Sequence, residues 1–167
     1  MAQHLNKSRL NNISITTILS EVLSSWQHSV FFGKYSIKFH EPSRAKTWRV
    51  HADSGKLQQV FFNILQNACQ HSPENSEVGI LLKVTRDNKI IVKISDAGSG
   101  IQPQNLEHVF EPFYTTRKGG TGLGMSIVRH IVEMHSGTIA LYNNTPSPGL
   151  TVEVSLPLAE TVESETE

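Results

Sequence analysis

Apolar residues recur along the chain at two periods, and the switches between them mark out its elements. Ile15, Ile18, Leu19, Val22, Leu23 and Trp26 repeat at three- and four-residue steps, which predicts a helix over 13–30 with Ser14 as its N-cap. Short strands are expected at 36–40 and 47–52, separated by Pro42 and Ser43. Asp53 or Ser54 caps a second helix that runs to His71 and stops at Ser72-Pro73. Alternation over 78–85 and 89–95 predicts a hairpin across Arg86-Asp87-Asn88. A loop-rich stretch covers 96–121. A third helix is expected over 122–135, ended by Ser136-Gly137, and a closing hairpin over 138–142 and 150–156. Helices and hairpins in this irregular order predict an α+β fold. The expected form is a two-layer sandwich, with three main helices packed on one mixed β-sheet.

Composition narrows the classes. The 167 residues suit one domain, and no apolar stretch of about 18 residues could cross a bilayer. No secretory leader pattern opens the sequence. Fifteen basic and fifteen acidic side chains cancel, which argues against nucleic-acid binding and direct membrane contact. The single cysteine, Cys69, excludes an internal disulfide and fits a reducing, cytoplasmic setting. The eight histidines form no HExxH pattern, and no paired CxxC is present.

Three stretches carry candidate chemistry. In the second helix Leu57, Val60, Phe61, Ile64, Leu65 and Ala68 form a core stripe. Asn63 and Asn67 stack one turn apart on another face. A solvated amide face is one reading. Asparagine is a poor helix former, however, and its amide oxygen is a hard neutral ligand suited to Mg²⁺. In DAGSGI, alternation carries the apolar face of Ile90, Val92 and Ile94 into the carboxylate of Asp96. Asp96 either starts an exposed turn or accepts a hydrogen bond from a ligand such as an adenine amine. Gly119, Gly120, Gly122 and Gly124 lead into the third helix, an arrangement that suits phosphate or is merely a flexible loop. The spacing is neither a P-loop nor a Rossmann fingerprint.

Together these stretches resemble the catalytic ATP-binding domain of bacterial sensor histidine kinases, within the superfamily of gyrase, heat-shock chaperone, histidine kinase and MutL ATPases. NILQNACQH is similar to the family's N box and DAGSGI to its first glycine box. VFEPFYTT is similar to the F box, and GGTGLGMSIV to the second glycine box. The resemblance implies that Asn67 chelates Mg²⁺, with Asn63 beside it on the phosphate side. It implies that Asp96 accepts from adenine, that Gly98, Gly100 and Ile101 shape the base pocket, and that His71 borders the nucleotide. Gly120, Thr121, Gly122, Leu123 and Gly124 would face the phosphates. Residues 102–119 would form a mobile ATP lid, with Phe110 and Phe113 as packing anchors. Gln70 stands where many members carry a basic residue, so cationic help would come from Arg117 or Lys118.

Within that superfamily, hydrolysing members and anti-sigma serine kinases carry a glutamate general base where this chain has Asn63. An amide cannot take that proton. This favours a histidine kinase over an ATPase or serine kinase, with a degenerate nucleotide-binding interaction module as the other alternative. No histidine stands in an acceptor context: His40-Glu41-Pro42 lies between short strands. The expected organisation is a linker over 1–12, the kinase domain over 13–157 and a disordered acidic tail over 158–167. The implied partner is the dimerising phosphoacceptor helical domain of a parent kinase, which could itself be membrane-anchored. A response regulator would be reached indirectly, and the fragment alone would be monomeric.

Overall fold

In a computed structural model, residues 10–159 of the chain are described. The elements run β1 (Asn11–Ser14), α1 (Ile15–Trp26), β2 (Ser36–His40), β3 (Arg49–Ala52), α2 (Ser54–His71), β4 (Glu77–Val84), β5 (Lys89–Ser95), α3 (Gly124–Met134), β6 (Thr138–Asn143) and β7 (Leu150–Pro157). Five strands form one mixed sheet in the order β2-β4-β5-β7-β6, in which only the β2–β4 pair is parallel. The α+β reading and the three-helix layer hold. The sequence pattern did not reveal a second, two-stranded sheet, in which β1 pairs antiparallel with β3.

That ribbon corrects two boundaries. Asn11 and Asn12, expected in a linker, pair with Ala52 and His51. The first helix begins at Ile15 instead of residue 13, because its entry is held as strand. It also ends at Trp26, before the expected residue 30. The following turns leave Val30 81% exposed, while Phe31 folds back and stacks on Trp26 at 5.6 Å. The third helix starts at Gly124, since Gly122 takes a left-handed φ of 67°. At the other end, Leu158 and Ala159 donate to Asn88 and Arg49 carbonyls, so the ordered domain passes residue 157. The rest of the expected acidic tail, and the linker before residue 10, lie outside the described residues.

The helices bury their apolar stripes against one face of the sheet. Leu57, Phe61, Ile64 and Leu65 of α2 meet Ile18 and Val22 of α1, Val128 and Val132 of α3, and Ile80, Val92 and Ile94 of the sheet. Each such side chain, fully buried, contributes about 1.5–3 kcal/mol. Asp53 caps α2, its Oδ1 accepting the Lys56 N–H at 3.1 Å. His135 ties the far ends of α2 and α3. Its Nε2 accepts the Asp53 N–H at 3.1 Å, so Nδ1 carries the proton and donates to the Ile131 carbonyl at 2.8 Å. Burial holds this imidazole neutral and lowers its pKa.

Candidate functional site

The packing of α2 and α3 over one end of the sheet leaves a cleft of about 610 Å³. Asn67 and His71 reach it from the last turns of α2, Asp96 from the end of β5, and Gly100 and Ile101 from the loop that follows. Arg117, Gly120, Thr121, Gly122 and Gly124 close the opposite side. The floor is apolar, with Ile64, Ile94, Leu141 and Val152. Apolar space beside a few fixed polar groups is the usual make-up of a small-molecule site.

Asp96 is the most constrained of these residues. It is only 9% exposed. Its Oδ1 accepts from the Gly98 N–H at 2.8 Å and from the Leu150 N–H at 3.0 Å. Oδ2 has no protein donor among the described residues. A buried carboxylate with one oxygen locked and the other open in a cleft wall can accept a hydrogen bond from a ligand. Burial raises the Asp96 pKa above the ordinary aspartate value, and the two backbone donors partly oppose this.

Gly98 is required by its neighbour. A Cβ there would lie 2.5 Å from the His71 carbonyl, so only glycine lets the loop cross the end of α2 this closely. On the phosphate-suited side, α3 begins at Gly124 with no side-chain cap and no acidic residue in its first turn. Its N–H groups and the positive end of its dipole therefore stay available to an anion. Gly122 supports that start. A Cβ on it would strike the backbone of Phe113, whose N–H donates to the Gly122 carbonyl at 2.9 Å.

Four residues from the sequence-based set do not line the cleft: Asn63, Gly98, Leu123 and Lys118. Gly98 acts from behind, through Asp96, and Leu123 is the N-cap of α3. Phe110 and Phe113, expected to act alike, differ. Phe110 packs on the core with the Arg129 guanidinium 5.4 Å from its ring centre, whereas Phe113 is 75% exposed and holds a left-handed φ of 67°. Sequence reasoning missed the turn behind Asp96. Asn144 donates its Nδ2 to the Asp96 carbonyl at 2.9 Å, and Thr151 Oγ1 donates to Asn144 Oδ1 at 2.6 Å. NNTPSPG reads as an ordinary hairpin turn, and nothing in its local pattern announces a role at a strand end some fifty residues earlier.

Comparison with known proteins places this geometry. Residues 52–160 match the family model described as histidine kinase-, DNA gyrase B-, and HSP90-like ATPase. The sensor-like histidine kinase SenX3 of Mycolicibacterium smegmatis is 32% identical over 154 residues, covering 89% of this chain and 39% of that protein. Histidine kinase P4 of Formosa agariphila is 34% identical over 155 residues, covering 87% of this chain and 11% of that protein. The chain thus spans well under half the length of these curated relatives. The solved mycobacterial sensor histidine kinase MprB superposes with a TM-score of 0.77 at 26% identity, over 91% of this chain and 99% of that one. Fold, cleft and similarity agree: the chain belongs to the histidine kinase-, DNA gyrase B- and HSP90-like ATPase family, as an ATP-binding catalytic domain of the sensor histidine kinase type.

Proposed function

We propose that the cleft binds Mg²⁺-ATP and presents the γ-phosphoryl group to a histidine on a separate helical domain of a longer kinase. The observation that carries this reading is the half-satisfied carboxylate of Asp96, whose free Oδ2 stands in the wall of an apolar slot of nucleotide size. Oδ2 accepts the exocyclic amine of adenine, while Ile94, Leu141 and Val152 cover the faces of the base. The phosphates run toward the uncapped start of α3, where backbone N–H groups and the helix dipole offset their charge. Arg117, on the lid side of the cleft, adds a cation.

Asn67 offers the protein's ligand to the metal, a neutral amide oxygen in the cleft wall. No group of three or more carboxylate, histidine or cysteine side chains suited to a metal lies among the described residues. The remaining ligands therefore come from phosphate and water, which is the usual way Mg²⁺ is held. When bound, the ion supplies charge neutralisation between the phosphates. The chain itself contributes positioning and electrostatic stabilisation, and Asn63, an amide outside the cleft wall, supplies no base for hydrolysis.

The test is incubation with γ-labelled ATP, with and without the acceptor-helix domain of the parent kinase. The chain alone is expected to bind ATP, hydrolyse it very slowly and remain unlabelled. Adding the acceptor domain is expected to give acid-labile, base-stable label on that domain. Transfer will be weak, because separate chains lack the effective concentration of a tether. Acid-stable label on this chain would point to a serine kinase. Absence of any nucleotide binding would point to an interaction module.

A further inference from the structure

The loop that follows Asp96 is gripped by a residue that none of the nucleotide-site stretches contains. Asn143 ends β6, on the far side of the cleft floor. Its Oδ1 accepts the Ile101 N–H at 2.8 Å, and its Nδ2 donates to the Ile101 carbonyl at 2.7 Å. A donor at one end and an acceptor at the other fix the amide orientation. One side chain thus does for Ile101 what a neighbouring strand would do. Gly100 makes room for it: at φ 74°, a Cβ on Gly100 would lie 2.5 Å from Asn143 Oδ1. That clash gives Gly100 a reason beyond the shape of the base pocket.

Ile101 lines the cleft and directly precedes the lid, which begins at Gln102. The next residue after Asn143, Asn144, holds the Asp96 carbonyl. Adjacent asparagines at the end of β6 therefore fasten both the base acceptor and the root of the lid. The geometry points to Asn143 as a positioning residue for nucleotide binding, acting through Ile101 to set where the lid leaves the cleft floor. This deepens the ATP-binding reading and rests on it.

Asn143 is exposed, so its replacement leaves the core intact. Asn143→Ala is expected to weaken ATP binding about 3- to 10-fold, near the net worth of one ordinary hydrogen bond, because water reaches this exposed side chain. It should also release amide-exchange protection at Ile101, while the β5–β7 ladder and the thermal midpoint stay as they were. Asn143→Asp keeps the acceptor and loses the donor. Its second carboxylate oxygen then faces the Ile101 carbonyl that Nδ2 serves, so this isosteric variant should bind ATP no better than Asn143→Ala, whereas a role of mere bulk would leave it equal to the unaltered domain. The unaltered domain is the control: if it fails to bind ATP, the proposed function fails. If it binds ATP and Asn143→Ala binds equally well, or if protection is lost throughout β5–β7, the positioning role is overturned.

Discussion

Asp96 and the lid lie on the same cleft and are held in different ways. The Asp96 N–H donates to the Leu150 carbonyl, its Oδ1 accepts from the Leu150 N–H, and its carbonyl accepts from Asn144. All three bonds come from the β6–β7 segment, more than forty residues away, and the sheet beneath is continuous from β5 to β7. In the lid, the backbone bonds are local turns: Asn105 to Gln102, Glu111 to His108, Tyr114 to Glu111, Gly120 to Arg117. Its reach to the rest of the molecule is the Phe113–Gly122 bond and the packing of Val109 and Phe110. The Asp96 end is thus fixed by long-range bonds of the fold itself. The end formed by 102–119 has few long-range ties, so its ordering can be linked to ligand binding.

Removing the acceptor is the strongest way to break the rigid end. Asp96→Asn preserves an oxygen for the Gly98 and Leu150 N–H groups but places an amide NH₂ against the adenine amine. A hydrogen bond to a charged group is worth about 1.5–3 kcal/mol, so ADP and ATP should bind roughly 10- to 150-fold more weakly by calorimetry. GTP should bind the unaltered domain poorly, since guanine offers a carbonyl where adenine has its amine. Equal affinities for ATP and GTP would remove Asp96 from this role.

The same carboxylate sets a pH signature. Its folded pKa is raised by burial, so it takes up a proton at a higher pH than an ordinary aspartate. ADP affinity should therefore fall on acidification earlier than expected for aspartate, and the Asp96→Asn variant should lack that step. Stability of the free domain runs the opposite way. Burial favours the neutral carboxyl, so Asp96 contributes most below the unfolded aspartate value of about 3.9. That contribution is lost as pH rises through the raised folded value.

Asn67→Ala tests the metal side and should have a smaller effect. Losing one neutral ligand that water can replace predicts a roughly tenfold drop, about 1.4 kcal/mol, in affinity for an ATP analogue in Mg²⁺. Without the metal, the variant and the unaltered chain should bind nearly alike. An unchanged Mg²⁺-dependent affinity would leave Asn67 as part of a solvated amide face.

These two regions also mark how far the sequence could be read. The period of Leu57, Val60, Phe61 and Ile64 placed α2 correctly, because a long amphipathic helix carries its signal in local spacing. Asp96 was legible because a carboxylate at the end of an apolar alternation is costly without a donor. The donors themselves were not, because Leu150 and Asn144 meet Asp96 only through the β5–β7 register. The β1–β3 ribbon was missed for the same reason: four polar or mixed residues become a strand only when a distant partner pairs with them. Phe110 and Phe113 lie three apart in one aromatic stretch and read alike. Their difference arises from a single left-handed residue, which local hydrophobicity does not encode.

That difference supplies the smallest test. Phe110 is half-buried against the core and beside Arg129, so Phe110→Ala removes a contact that docks the lid on α3. Hydrogen exchange across 102–119 should quicken, and ADP affinity should fall by no more than about threefold, since base recognition is untouched. Phe113 gives up little apolar contact when truncated, because its side chain is already in water. Phe113→Ala should leave exchange and affinity within about twofold, as expected of a surface change of roughly 0.5 kcal/mol or less. Adding Mg²⁺-nucleotide should slow exchange in both variants. If it slows Phe113→Ala much less than the unaltered domain, Phe113 packs only in the closed lid, and its exposure belongs to the open state. If Phe110→Ala and Phe113→Ala behave identically without nucleotide, the lid is not held through Phe110, and the contrast between the two ends of the cleft loses its structural basis.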